Sequence, residues 1–216
     1  MKKYAFTLVE TLLVFVVIGV LAVLLISAVM GLQPDREKVM FKKAYSIAER
    51  TVGELVNDES IYPYDPERLG FYYDDNAIVE GTNTVYGGDS KFCMFFARKL
   101  NTFADAVFDA TNNQCTFETT DGIHWTVPSK FVQPDKSAVA IMVDINSDKD
   151  PNYPNYTPDE VIADTSLLDK DLHPDLDEEN RDRYYIFVEF DGRVRVAPNS
   201  IEEEYLKSHD ARKEKE

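Results

Sequence analysis

The stretch AFTLVETLLVFVVIGVLAVLLISAVMG, Ala5–Gly31, decides how the rest of this chain is read. It is apolar almost throughout, yet Glu10 stands near its start. Between Glu10 and Asp35 there is no charged residue. As a helix this run would reach roughly 36 Å at about 1.5 Å per residue, against a bilayer core of about 30 Å. The sequence therefore predicts one membrane-length helix feeding a polar domain. A carboxylate inside an apolar slab costs on the order of 2.5–3.5 kcal/mol, so Glu10 needs a partner of opposite charge.

A cleaved signal peptide would explain Lys2 and Lys3 as its basic start. The run is long for that class, however, and LLISAVMG offers no small-x-small exit. No cysteine follows the run, which disfavours a lipoprotein. A single-pass anchor carrying an extracytoplasmic domain, one that binds a divalent cation or a protein partner without polymerising, accounts for the length. It leaves Glu10 without a role.

The segment KKYAFTLVETLLVFVVIGVL resembles the N-terminal region of type IV prepilins and type II secretion pseudopilins. That family has a short basic leader, a cut before a Phe, and a Phe-Thr-Leu-x-Glu start to the mature chain. Thr7, Leu8, Val9 and Glu10 follow Phe6 in that register. The resemblance implies that a prepilin peptidase removes residues 1–5 and N-methylates Phe6. Ala5 stands where the family usually has Gly, and keeps a small residue at the cut. The new Phe6 amine would meet the Glu10 carboxylate of a neighbouring subunit, neutralising two charges in apolar surroundings. A head-to-tail contact of this kind does not close, so it builds a helical filament. The resemblance further implies a structural subunit of a pilus-like or secretion-type filament, with other pilin subunits as partners. It places the protein in the inner (cytoplasmic) membrane as a single-pass protein, then in an extracytoplasmic or cell-surface filament. It also puts the leader in the cytoplasm, whereas Arg36, Lys38, Lys42 and Lys43 outnumber Lys2 and Lys3 and favour the opposite orientation by basic-residue counting.

Beyond the run, Pro34 kinks the helix or starts a fresh turn. Apolar residues at 41, 44, 45, 48, 52, 55 and 56 recur at helical spacing with one buried face. The reading is one long helix over 6–57, ending at Asn57-Asp58. Residues 59–90 are rich in Pro, Gly, Asp and Tyr and read as a connecting loop, seated by Tyr62, Tyr64, Phe71, Tyr72 and Tyr73. KFCMFFARKLNTFA reads as a short buried helix.

QCTFETTDGIHWTV reads as a hairpin with a two-residue turn at Asp121-Gly122, and RYYIFVEFDGRVRVA as a second hairpin with Asp191-Gly192 at its tip. SAVAIMVDI reads as a central strand. About five antiparallel strands against one long helix make a two-layer α+β fold, in agreement with the pilin-like fold that the resemblance implies. The expected organisation is a leader at 1–5, a transmembrane and filament-core helix at 6–33, its amphipathic continuation at 34–57, a globular α+β domain at 58–200, and a charged, loosely helical tail at 201–216.

The formal charge of −16, from 39 acidic against 23 basic residues, repels phosphates, and no basic patch offsets it, so no direct nucleic-acid contact is expected. VDINSDKDPN places Asp144, Asn146, Asp148 and Asp150 at alternate positions, oxygen donors able to fold round a hard cation such as Ca²⁺. Lys149 and Asn155 break the EF-hand pattern, and a polar turn is the competing reading. Residues 151–183 read as a long acidic loop with Asp169, Asp171, Asp175 and Asp177 as further donors. Cys93 and Cys115, the only cysteines, form a disulfide if the domain folds outside the cytoplasm. No phosphate loop, H-E-x-x-H or G-x-S-x-G is present, so no catalytic residue is expected.

Overall fold

The computed structural model describes residues 12–21, 36–62, 77–78, 85–86, 90–129, 138–147, 149–174, 176 and 181–208. The chain divides into two compact units, 1–39 and 40–216. In the first, residues 12–21 form helix α1, whose large apolar side chains are exposed. Ten residues extend only about 15 Å, half the thickness of a bilayer core. Among the described residues no helix is long and apolar enough to cross a membrane.

These observations correct two expectations. The uninterrupted N-terminal helix of a pilin-like fold, with its first half transmembrane, is not what the described residues form. Single-pass anchoring in the inner membrane is likewise unsupported. The finding behind both is the reach of the described helices: the ten described residues of α1 span about 15 Å, and the next described helix, α2 (Arg36–Val56), is not apolar enough to cross a membrane. Glu37 lies in the first turn of α2, where an acidic side chain is favourable.

The second unit is α+β. The hairpin β1 (Ala77–Ile78) and β2 (Val85–Tyr86) precedes α3 (Lys91–Lys99). A six-stranded antiparallel sheet then runs in sequence order: β3 (Val107–Asp109), β4 (Gln114–Glu118), β5 (His124–Pro128), β6 (Ala138–Asp144), β7 (Arg183–Glu189) and β8 (Val194–Arg195). Between β6 and β7 lie α4 (Pro158–Ala163) and a 3-10 turn (Thr165–Leu168), and α5 (Ile201–Lys207) follows β8. Strand β6 is central, as its unbroken apolar sequence predicts.

Burial follows what covers each face. Helix α2 buries Phe41, Ala44, Ala48, Val52 and Leu55, the stripe its spacing predicts. They join Phe96, Trp125, Ile141 and Tyr184 in the main core, where the Phe41 and Tyr184 rings lie 5.0 Å apart. Strand β4 alternates half-buried and buried residues because only that face is covered. Strand β7 is buried at five successive positions. Tyr184, Ile186 and Val188 enter the main core, while Tyr185 and Phe187 join Ala140, Val161 and Leu168 in a second cluster on the opposite face. The insertion between β6 and β7 is thus a cover for the second face. Val161 and Leu168 are its buried plugs.

Both hairpins form, with a turn one residue longer than the expected two-residue type. Thr119 N–H donates to Ile123 O, and Gly122 N–H to Thr119 O. The loop is therefore Thr120-Asp121-Gly122, with Gly122 at φ 82. Phe190-Asp191-Gly192 repeats it, with Gly192 at φ 87. This is the three-residue hairpin that puts glycine in the left-handed position. The residues from 201, expected as a loose tail, instead form a docked helix through 207, with Ile201 and Tyr205 buried. Glu202 and Arg181, both fully buried, form an ion pair that ties this helix to the start of β7.

Two stability effects follow. Gly122→Ala meets open space and costs only the left-handed backbone, about 1–2 kcal/mol. A Cβ at Gly192 would also lie 3.0 Å from Val56 Cγ1, so Gly192→Ala should lower the urea midpoint further than Gly122→Ala. Glu202→Ala, which leaves Arg181 buried and unpaired, should cost about 3–5 kcal/mol in the same assay.

Candidate functional site

Ala5, Phe6 and Glu10, the processing and assembly residues, lie outside the described residues, as does Asp148 of the candidate metal loop. The remaining loop positions are placed by the ends of β6 and β7. Asp144 closes β6 opposite Arg183 in the antiparallel register, so both side chains rise on one face. Its carboxylate accepts from Arg183 Nε at 3.3 Å and from Asn146 N–H at 3.2 Å, and it is 2% exposed.

Asn146 turns its Nδ2 to Asp182 Oδ2 at 3.0 Å. Asp182 also accepts from the backbone N–H groups of Asn152 at 2.8 Å and Tyr153 at 2.7 Å. Arg183 donates further to Asn155 Oδ1 and Asn152 Oδ1, each at 2.9 Å. The Tyr185 hydroxyl donates to Tyr156 O at 2.6 Å. Asp150 is exposed and apart from this network. The structure therefore brings Asp144 and Asn146 together, adds Asp182 and Arg183, and leaves Asp150 out.

Chemically, this network is a clamp. Arg183 supplies the positive charge beside Asp144 that a cation would otherwise provide, and each Asp182 oxygen is occupied by N–H donors. Among the described residues no group of three His, Cys, Asp or Glu side chains is arranged to hold a metal ion. Asp169, a further candidate donor, accepts from Asp171 N–H at 2.9 Å in a local turn.

Cys93 and Cys115, the expected pair, are joined in a disulfide, with Cα atoms 5.7 Å apart. Both are fully buried, and the bond ties α3 to β4. Closing a separation of 22 residues stabilises by roughly 3 kcal/mol on the chain-entropy account.

The residues that organise this region, Asp182 and Arg183, were not singled out from the sequence. The only signal was two charges set immediately before the apolar run YYIFV. Helix α4 carried a clearer one. Thr157-Pro158-Asp159-Glu160 is a capping box with proline in the first turn, and Thr157 and Glu160 do cap each other reciprocally. Comparison of the chain with protein-family models, with curated proteins and with solved structures returns no match.

Burial raises the Asp144 carboxyl to about 6. The Asn146 N–H opposes the rise, the nearby Asp182 charge adds to it, and Arg183 opposes it. The native state then holds a proton between about pH 4 and 6 that the unfolded chain, at the ordinary carboxylate value of about 3.9, has released. The contribution of Asp144 to stability therefore falls as pH rises through that window and levels off above it. A carboxyl-carbon NMR titration should give a midpoint near 6 for Asp144, and a midpoint near 4 would contradict the burial argument.

Proposed function

We propose that the chain is a structural subunit, a pilin or pseudopilin, of a type IV pilus-like or type II secretion-like filament, processed by a prepilin peptidase before Phe6. The observation that carries this reading is the Phe6-Thr7-Leu8-Val9-Glu10 start, set after a short basic leader and before an uncharged apolar run. Processing frees an amine at Phe6, four residues from a carboxylate that has no cation near it in sequence. Pairing the two between neighbouring copies removes the desolvation problem of both at once.

The exposure of α1 supports the same reading. Phe15 is 74% exposed, and Leu12, Leu13 and Val16 are each more than half exposed. A helix that is apolar all round is buried in its working state, and parallel copies of the same segment would bury it. In that arrangement Phe6 and Glu10 register one copy against the next.

The test is mass analysis of the N-terminal peptide from sheared, pelleted fibres. The expected product begins at methylated Phe6, and a product beginning at Met1 overturns the proposal. Ala5→Gly should leave processing intact, and a bulky residue at position 5 should block it. Glu10→Ala and Glu10→Gln should both abolish or slow fibre formation while leaving the α+β domain folded.

A further inference from the structure

Strand β3 is an edge of the sheet, and among the described residues nothing pairs with its outer side. The backbone N–H and C=O groups of an edge strand that point away from its sheet seek partners. The side chains here are unusual for such a place. Among the described residues of the second unit the exposed large apolar side chains are Phe103, Val107, Phe108, Leu172 and Phe190. The first three belong to β3 and its lead-in, at 68%, 65% and 36% exposure. Phe103 is tied to the sheet by its N–H, which donates to Glu118 O at 3.0 Å.

Register sets these side chains on both faces. Phe108 stands opposite Cys115, which faces the main core, and Val107 stands opposite Thr116, which faces the other way. A ligand lying on one face would cover one of them and leave the other bare. An occupant in the plane of the sheet covers both, and an added strand has that shape. Its backbone would meet the open edge of β3 at the same time. The edge at β8 is less open, because the Tyr45 hydroxyl donates to Val194 O.

Charge selects the strand. The run 101–113 holds Asp105 and Asp109 and neither Lys nor Arg. At the end of α3, Lys99 faces Glu54 at 3.7 Å, and Arg98 lines a hollow with Asp105. Asp109 is thus the charge that an added strand meets beside Val107 and Phe108. It accepts from Thr111 N–H at 2.8 Å and from Asn112 Nδ2 at 2.7 Å. These bonds hold its carboxyl below the usual carboxylate range, so it stays ionised at neutral pH. A second copy of β3 would bring another Asp109 and a further net charge of −16. A strand carrying lysine or arginine brings the opposite sign.

We propose that the β3 edge receives an extended segment of a partner protein, with alternating apolar and basic side chains, as a further strand of the sheet. The proposal does not rest on the filament reading. The test is a ¹⁵N–¹H titration of the full chain with three synthetic octapeptides: alternating Lys-Val, alternating Glu-Val, and octalysine. The Lys-Val peptide should shift the amides of 103–109 saturably, and the other two should leave them in place. Val107→Lys, at an exposed edge position, should weaken Lys-Val binding about tenfold, through lost apolar contact and like charge across the pair. The remaining spectrum of that variant should stay native. No shift with the Lys-Val peptide, equal shifts with octalysine or Glu-Val, or unchanged binding by Val107→Lys would each overturn the proposal. Shifts of 103–109 that grow with protein concentration in the absence of peptide would make a second copy the occupant, and would overturn it too.

Discussion

The ion pair between Arg181 and Glu202 is the contact on which the layout of the domain turns. Both side chains are fully buried, where neither charge survives without the other. Glu202 Oε1 also accepts the Tyr185 N–H at 3.1 Å, and Arg181 Nε donates to Arg183 O at 3.2 Å. The Arg181 guanidinium lies 5.2 Å from the Tyr184 ring centre. The pair thus joins α5, the start of β7 and the two aromatic residues that β7 sends to opposite faces. Loss of Glu202 from α5 would leave the fully buried guanidinium without its ion-pair partner.

From that point the two faces of the sheet divide the work. The main core lies under α2, α3 and α5, closed by a disulfide between two buried cysteines. The opposite face needs a cover only where β6 and β7 are apolar on both sides, and the insertion between those strands supplies it. Over β4 and β5 the same face carries the polar residues Gln114, Thr116, His124 and Thr126, of which Thr126 is buried. The edge at β8 is protected from the core side, because the Tyr45 hydroxyl of α2 donates to Val194 O at 3.0 Å and occupies an acceptor that a foreign strand would seek.

Periodicity made the second unit legible. The stripe of α2, the buried helix at Lys91, the central strand at Ala138 and both hairpins can be read from spacing, and the cysteine pair from there being only two cysteines. What escaped were features whose signal is local chemistry inside an acidic background. Thr157-Pro158-Asp159-Glu160 states a helix start, but the surrounding Asp and Pro residues read as loop. Glu202 is one of three successive glutamates, and nothing in its neighbours marks it as the buried one. The alternating oxygens of Asp144, Asn146, Asp148 and Asp150 suggested a cation, and spacing alone did not reveal that Arg183, 39 residues beyond Asp144, would supply the charge. The turn length was missed because Asp-Gly serves both two-residue and three-residue hairpins, and register decides between them. The long helix was overread because apolar length was taken as helical length, whereas among the described residues no helix is long and apolar enough to cross a membrane.

Charge also limits where an assembly of such chains could take its register. Each copy carries a net −16, so domain surfaces brought side by side repel one another. At physiological salt that repulsion fades over about 8 Å, which permits close neighbours but gives them no preferred offset. A preferred offset requires a contact that is short-ranged, desolvated and of opposite sign. Exposed ion pairs of the domain, such as Arg193 with Glu189 and Lys207 with Glu203, are already matched within one chain. Glu10 differs from them in having no other charged residue between Lys3 and Asp35. On the filament reading proposed above, its cost falls when another chain brings an ammonium to it.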